Sequence, residues 1–160
     1  MRSCVIVLIV FLSTCFTVGE EDKPELPVLG VPYCELAKNP SAWVGKRIRV
    51  RAIYSFGFEI QRLKSPVCCH EKELGIWVEP GSDLDRRSLR IFRKFGKMGM
   101  GWALAVFVGR FEGGNAYGAM GERFRLTVDN IEEVEKTARA RDPVVPDWVP
   151  RDCPASLSSS

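Results

Sequence analysis

The sequence predicts a mainly β fold, a small five-stranded Greek-key barrel with one helix between its third and fourth strands. Three observations support this prediction. The chain has 160 residues, a length that supports a single hydrophobic core. Short runs of alternating or continuous apolar residues, separated by glycine, proline and serine, are typical of strands. One amphipathic helical segment lies between two of these runs.

The first strand, at residues 47–52, is the clearest, because Ile48, Val50 and Ala52 alternate with arginines. This period of two places an apolar face toward the core and a charged face toward solvent. The other strands are predicted at residues 59–64, 76–79, 102–111 and 123–128. We expect Asn130 to cap a turn that closes the fifth strand.

The predicted helix begins at Ser82 or Asp83, either of which can accept hydrogen bonds from the first free backbone N–H groups. Gly96 is expected to end it. The side chains that face the core at helical spacing are Leu84, Ser88, Ile91 and Phe95. This order of strands and helix is that of the oligonucleotide/oligosaccharide-binding (OB) barrel, in which the helix closes one end. The sequence therefore predicts an OB-like barrel.

The N-terminal segment, residues 1–19, is predicted to be a secretory signal peptide. It has one early charge at Arg2, then an apolar run over residues 5–12, and then small and polar residues. The run is too short for a bilayer-spanning helix, which needs roughly 20 apolar residues. Small residues just before Glu20 predict cleavage there, so the mature protein is expected to be secreted or periplasmic.

A lipid anchor is the alternative to a soluble product. Residues 12–15 are similar to a bacterial lipobox, in which the cysteine is acylated and becomes the mature N-terminus. Thr14 is a poor residue for the position before that cysteine. Acylation at Cys15 would make the protein a membrane-anchored lipoprotein.

Three segments follow the signal peptide. Residues 20–32 are acidic and contain three prolines, which predicts an extended lead-in. Residues 33–137 form the predicted barrel domain. Residues 138–160 are rich in Arg, Asp, Pro and finally Ser, a composition that buries little, so a flexible tail is predicted.

Four cysteines remain after the signal peptide, and in an oxidising compartment they are expected to form disulfides. They are Cys34, Cys68, Cys69 and Cys153. Four cysteines allow three pairings, which the sequence leaves open. We favour Cys34 with Cys68, a bridge between the segment before the first strand and the end of the second. Cys69 with Cys153 would then pin the tail.

The cluster Cys68-Cys69-His70-Glu71 looks like a set of metal ligands, but its spacing argues against a metal site. Adjacent cysteines rarely point at one ion, zinc sites prefer spacings such as C-x2-C, and oxidising conditions favour disulfides over thiolates. The sequence contains no G-x-S-x-G or similar nucleophile motif. We therefore expect no metal, no cofactor and no catalytic residue, and predict that the protein is not an enzyme.

The candidate ligand-binding residues are three arginines of the first strand and a tyrosine near the last hairpin: Arg47, Arg49, Arg51 and Tyr117. Barrels of this class bind polymer strands by combining cations with aromatic stacking platforms. Tyr117 lies in the glycine-rich loop between the last two strands, where this fold often contacts ligand. The alternative is an ordinary solvated strand face, in which Glu59 and Glu79 pair with the arginines.

The predicted helix carries a second group of cations beside its apolar positions: Arg86, Arg87, Arg90, Arg93, Lys94 and then Lys97. Such a face can contact phosphates or anionic lipid, or it can simply be solvated. The whole chain has 23 Lys and Arg against 20 Asp and Glu, a balance that does not demand a polyanionic partner.

Several short motifs are spread over the predicted barrel: Cys34-x-Leu36, Asn39-Pro40, Trp43-x-Gly45-Lys46, Cys68, Ile76-Trp77, Gly109-x-Phe111, Tyr117-Gly118 and Gly121. With these motifs the chain resembles a group of small exported bacterial proteins, of no assigned function, that have an OB-like barrel domain. The resemblance implies this fold and export, and no activity. Members of the group often have a histidine where this sequence has Ala119, so no metal or proton-transfer role is implied there.

The sequence thus predicts an exported, non-enzymatic binding or accessory module of the cell envelope, without a transmembrane span in the mature chain. The expected partner is an envelope protein or an anionic polymer. One alternative is a binder of nucleic acid or anionic polysaccharide that uses the barrel face and the basic helix, with an affinity that falls steeply with salt. Another is a structural or inhibitory protein whose disulfides hold a rigid loop against its partner.

Overall fold

The computed structural model describes residues 25–65 and 74–140 of the chain. The strands are β1 (Val28–Gly30), β2 (Arg47–Phe56), β3 (Gln61–Lys64), β4 (Ile76–Pro80), β5 (Gly101–Tyr117) and β6 (Glu122–Arg139). The helices are α1 (Tyr33–Lys38), a 3-10 turn at Pro40–Trp43, and α2 (Arg86–Met98). The fold is mainly β, as the sequence predicts. In this part of the chain, no helix combines the length and the apolar character that crossing a membrane requires.

The six strands form one sheet in the order β1-β2-β3-β4-β6-β5, and β2 also pairs with β5. This additional pairing closes a ring of backbone hydrogen bonds through β2, β3, β4, β6 and β5. The pairs β1–β2 and β4–β6 are parallel, and the other pairs are antiparallel. α2 connects β4 to β5, which is where the sequence predicts the helix.

The hydrophobic core lies inside this ring. The predicted apolar face of β2 is confirmed, because Ile48, Val50 and Ala52 are fully buried. Phe107 of β5 and Phe95 of α2 belong to the same cluster. α2 therefore packs its apolar stripe on the core that the strands enclose, and its remaining faces point toward solvent.

α2 begins and ends later than the sequence predicts. Ser82 or Asp83 as its cap is wrong: the carboxylate of Asp85 accepts hydrogen bonds from the backbone N–H groups of Arg87 and Ser88, at 2.7 and 3.0 Å. Asp85 has the extended backbone that a cap needs, with φ −62° and ψ 156°. Gly96 lies inside the helix rather than at its end.

The helix ends instead at Gly99, whose φ of 81° is a conformation that other residues rarely adopt. Its backbone N–H donates to the carbonyl oxygen of Gly96 at 3.3 Å. A turn from helix into β5 follows immediately. Gly99 therefore sets the direction in which the chain enters the sheet.

Several strand limits also differ from the prediction. β2 continues to Phe56, β3 begins at Gln61, and both β5 and β6 are longer than expected. Asn130 is wrong as the cap of a closing turn, because it lies within β6 and pairs with Val108. β1, which runs parallel to β2, falls in the predicted lead-in and has no alternating pattern in the sequence.

Candidate ligand-binding cleft

The three arginines predicted to contact ligand lie on the outer face of β2, where each has a carboxylate partner on β6. The Nε atoms bind carboxylate oxygens in the pairs Arg47–Asp129 at 2.8 Å, Arg49–Glu132 at 2.5 Å and Arg51–Glu135 at 2.5 Å. We call these six residues the arginine ladder. Glu59 is not one of its members, and Glu79 instead pairs with Arg125.

Three β-bulges in β6 bring the acids opposite the arginines. The arginines recur every second residue, whereas the acids recur every third. Asp129, Glu132 and Glu135 are the residues that the β5–β6 register skips, so each is the extra residue of a bulge. The bulges thereby bring acids that are three residues apart on β6 opposite arginines that are two residues apart on β2.

The ladder crosses the outer face of β5, which lies between β2 and β6. Leu104, Val106 and Val108 point to this face, and all three are buried. The alkyl parts of long charged side chains can cover such apolar surface while their charged ends stay near water. The ladder therefore covers apolar side chains in addition to pairing charges.

The same pairing shifts the pKa values of Arg47, Arg51 and Glu135. The hydrogen bond from Arg51 lowers the pKa of the Glu135 carboxyl, against a smaller opposing effect of burial. The hydrogen bond to Asp129 is the largest cause of the raised pKa of Arg47. A ligand at these arginines has to compete with carboxylates already bound, and ligand contact at Arg47, Arg49 and Arg51 stays a prediction.

Tyr117, the fourth predicted contact, is buried at the end of β5. The guanidinium of Arg125 lies over its ring, 4.7 Å from the ring centre. Arg125 also binds Glu112 and Glu79, each at 2.8 Å. The turn beyond Tyr117 is more exposed than the tyrosine itself, and a ligand role for this side chain stays a prediction.

A cleft of about 950 Å³ lies between the C-terminal half of α2 and the loop that joins β2 to β3. We call it the α2 cleft. Its aromatic floor consists of Tyr54, Phe56, Phe92 and Phe95. Its basic rim contains Arg93 and Lys97 of α2 and Arg139 at the end of β6. The cleft therefore combines an apolar floor with a positively charged edge.

The aromatic floor is a packed cluster. Phe56 and Phe95 stack with ring centres 5.0 Å apart, and the edge of Phe92 meets Tyr54 at 5.9 Å. Burial raises the pKa of the Tyr54 hydroxyl. Because these rings hold one another in place, the floor is largely formed before any ligand arrives.

A smaller cavity of about 200 Å³ lies next to the α2 cleft, and Gln61 lines both. We call it the tryptophan cavity, because Trp77 and Trp102 form part of its wall. Ser55 also lines it; this residue is 6 % exposed, and its hydroxyl oxygen has no hydrogen-bond partner among the residues that the structure describes. Buried hydroxyl groups without a partner are uncommon in folded proteins.

The indole of Trp77 is fixed from two sides. Its Nε1–H donates to Glu79 Oε1 at 3.0 Å. Gly118, with φ 62°, lies so close to the ring that a Cβ atom there would be 2.2 Å from it. Only glycine satisfies both the backbone conformation and the close approach at this position. The last turn therefore holds one wall of the tryptophan cavity in place.

Exposed apolar side chains concentrate around these two cavities. Among the large apolar residues of the described chain, the four most exposed are Phe58 at 95 %, Met120 at 66 %, Met100 at 56 % and Ile60 at 44 %. Each of them lines the α2 cleft or the tryptophan cavity. Apolar patches with polar rims typically mark binding surfaces in soluble proteins.

The cations of α2 differ from those of β2. The six basic side chains of the helix are exposed, and within residues 25–65 and 74–140 none lies at ion-pairing distance from a carboxylate. Arg93 and Lys97, one turn apart, border the α2 cleft. Their charge is therefore available to a negatively charged ligand.

The cysteine cluster falls largely outside the structural description. Cys34 is half-buried in α1, whereas Cys68, Cys69, His70 and Cys153 lie outside the described residues. The predicted disulfides stay predictions. In the part of the chain that is described, no three or more His, Cys, Asp or Glu side chains are grouped so that they could hold a metal ion.

Comparison with known proteins gives no relative. No family model, curated protein or solved structure matches the chain. The geometry of the α2 cleft and of the tryptophan cavity is therefore the basis for assigning a function.

Proposed function

We propose that the protein is an exported, non-enzymatic binding module whose ligand occupies the α2 cleft. The four most exposed large apolar side chains of the described residues border two neighbouring cavities, beside Arg93 and Lys97, which have no carboxylate partner in that part of the chain, and this one observation carries the proposal. The ligand has an apolar or planar group for the aromatic floor and a negative charge for Arg93 and Lys97.

We further propose that the ring of strands is an OB-like barrel. The pairing order β2-β3-β4-β6-β5 and back to β2 supports this, as does the parallel pair β4–β6. α2 lies between β4 and β5, the place of the helix in that fold. The α2 cleft then lies at the end of the barrel that the helix closes.

Anilinonaphthalene sulfonate tests the proposed site, because it joins apolar rings to a sulfonate. The fluorescence of this dye is expected to rise on binding to the native protein and to saturate. Arg93→Glu with Lys97→Glu should weaken binding about tenfold, since two attractive charges become repulsive. Arg86→Glu with Arg90→Glu is the matched control, because it changes the same charge on the same helix outside the cleft.

Blocking the cleft gives an independent measurement. Gly96 lines the cleft and nothing lies within 4 Å of a Cβ atom built there, so Gly96→Leu is expected to place an apolar side chain at the cleft. Dye binding should fall while the fold is retained. If neither Gly96→Leu nor the Arg93 and Lys97 substitutions weaken binding more than the control does, the cleft is not the site.

An anionic polymer is the second candidate ligand, favoured by the row of exposed cations along α2, none of which is ion-paired with a carboxylate of the described residues. Affinity for a polyanion such as oligothymidylate should then fall linearly on a logarithmic salt scale. Both charge-reversed pairs of α2 should weaken polyanion binding. Dye binding, in contrast, should be weakened only by the Arg93 and Lys97 pair. An affinity independent of salt would contradict the second candidate.

Export, lipid attachment at Cys15 and the disulfides are part of the same proposal. The Tyr33 hydroxyl lies 3.1 Å from the Leu63 carbonyl oxygen and 2.8 Å from that of Leu74. These two residues flank the segment that contains Cys68 and Cys69, so α1 lies near both of its ends. This proximity supports a disulfide from Cys34 to this segment, and our proposal keeps Cys68 as its partner.

Intact mass of the secreted protein, before and after reduction, tests these points together. A chain that begins at Glu20 and gains four hydrogens on reduction is expected. Acylation at Cys15 would instead define a membrane-anchored lipoprotein. Free thiols at Cys68 and Cys69 would contradict the disulfides.

A further inference from the structure

We infer that the tryptophan cavity is a saccharide subsite, which binds one sugar ring of an acidic polysaccharide whose next unit lies in the α2 cleft. The inference rests on the proposed function and names the ligand class. It is carried by the wall of two indoles, by the hydroxyl of Ser55, which has no hydrogen-bond partner among the described residues, and by Gln61, which lines both cavities.

The size of the tryptophan cavity limits its ligand to one ring. Clefts that bind drug-sized molecules measure about 300–1,000 Å³. The tryptophan cavity, at about 200 Å³, lies below that range. A larger ligand has to continue outside it, and the neighbouring α2 cleft is the adjoining space.

The wall of the cavity has the chemistry that a sugar ring requires. The C–H face of a pyranose is weakly positive and packs on the negative face of an indole ring. Its hydroxyl groups need both donors and acceptors around the ring edge. Ser55 and Gln61 supply both, and the Arg62–Glu122 ion pair, at 3.1 Å, adds charged groups of each sign.

Ser55 points to a ligand rather than to a structural role. Its hydroxyl is buried and makes no hydrogen bond to residues 25–65 or 74–140, and its strand partner across β2–β5 is Trp102. An unsatisfied buried hydroxyl lowers stability, whereas alanine of nearly the same size would avoid that cost. A ligand hydroxyl that enters the cavity supplies the missing partner.

The distribution of polar groups favours a sugar over a nucleobase. A base presents hydrogen-bonding groups along the edge of a flat ring and is held mainly by stacking. Here the lining of the cavity is mixed, since Ser55, Arg62 and Glu122 line it together with Trp77 and Trp102. A ring with hydroxyl groups on several sides matches this arrangement.

The cations beside the cavities select an acidic chain. Arg93 and Lys97 on the adjoining cleft have no carboxylate partner in the described part of the chain. A carboxylate on the next sugar can bind them. The structure therefore favours a polymer of uronic acids over a neutral glycan.

Binding to polygalacturonate, alginate and hyaluronate tests the inference, with dextran and oligothymidylate measured in parallel. The protein is expected to bind at least one of the three acidic polysaccharides and not dextran. Trp102→Ala should weaken this binding about tenfold, through loss of ring stacking. Ser55→Ala should weaken it about fivefold, through loss of one hydrogen bond, while the melting temperature stays equal or rises.

Matched controls separate binding from folding. Trp43→Ala removes another half-buried tryptophan that lines neither cavity, and Ser88→Ala removes another buried hydroxyl. Both should leave the affinity of the folded protein unchanged. The inference is overturned if the protein binds none of the three acidic polysaccharides. It is also overturned if both Trp102→Ala and Ser55→Ala leave the affinity unchanged.

The result also distinguishes the inference from the proposed function. If the Arg93 and Lys97 substitutions weaken polysaccharide binding and Trp102→Ala does not, the α2 cleft stands and the saccharide subsite falls. If oligothymidylate binds through Trp102 and the polysaccharides do not, the cavity takes a base and the inference is overturned. If the dye fails to bind in the α2 cleft, the proposed function fails.

Discussion

Two groups of cations that look alike in the sequence have different surroundings in the folded protein. On β2, three arginines are each bound to a carboxylate of β6. On α2, six basic side chains have no carboxylate at ion-pairing distance within the described residues. The comparison teaches that the number of cations on a face does not indicate whether it can bind a ligand. What distinguishes a structural face from a binding face is whether its cations already have carboxylate partners.

The largest difference is expected in stability. Replacement of Arg47, Arg49 and Arg51 together by Gln should lower the free energy of unfolding by about 2 kcal/mol, because three ion pairs are lost and the outer face of β5 is left less covered. The same replacement at Arg86, Arg87 and Arg90 should change it by less than about 0.5 kcal/mol. Urea denaturation measures both, and equal losses would remove the distinction between the two faces.

A second test extends the comparison to uncharged groups. Ser88 is buried and its hydroxyl oxygen accepts a hydrogen bond from the Ile131 backbone N–H at 2.7 Å, so Ser88→Ala should cost about 1–2 kcal/mol. Ser55→Ala should cost nothing or stabilise by up to about 1 kcal/mol, because no hydrogen-bond partner among the described residues is left behind. A comparable loss in both variants would show that Ser55 has a structural partner after all.

A smaller effect is expected on the cleft side of α2. Gly96 lies inside the helix with open space around a Cβ atom, so Gly96→Ala should stabilise the protein by about 0.5–1 kcal/mol. Thermal unfolding measures the gain. Gly96 has an ordinary helical conformation, which alanine also adopts. A decrease in the melting temperature would mean that the backbone at this position needs glycine nevertheless.

The smallest effect is a change in acid sensitivity. Because the hydrogen bond from Arg51 lowers the pKa of Glu135 below its ordinary value of 4.5, the pair contributes stability above that value and loses it as the pH falls through the lowered pKa. Arg51→Gln should therefore make the loss of stability between about pH 6 and pH 3 less steep. Arg90→Gln on α2 should leave the slope unchanged, and an equal change in both variants would contradict the assignment.

The regular parts of the fold were predictable, and the irregular part of β6 was not. Ile48, Val50 and Ala52 alternate with polar residues, and this period of two is typical of a half-buried strand. Beyond Val128 the next buried residue, Ile131, is three positions away and no longer follows that period, because the bulge at Asp129 adds one residue. Pattern reasoning therefore ended the strand about ten residues early.

The candidate site was predictable only in part. Basic residues on the helix are visible in the sequence, but the α2 cleft joins residues near positions 54–61, 92–100 and 139 through tertiary contacts. The sequence did contain one local signal. Phe58 follows Gly57 and Met100 lies between two glycines, so both large apolar residues are in predicted bends. Such residues are usually buried, and their presence in exposed bends indicates a binding surface. The absence of a partner for Ser55 could be recognised only in the folded structure.

β5 has apolar side chains on both faces, as a strand of a sheet that is covered on both faces does. In such a sheet, helices or a second sheet would lie against Leu104, Val106 and Val108. Here the bulges of β6 supply charged side chains that meet those of β2 above these residues. A layer of ion-paired side chains thus takes the place of a second layer of secondary structure. A single ring of strands can therefore keep β5, one of its most apolar strands, away from water.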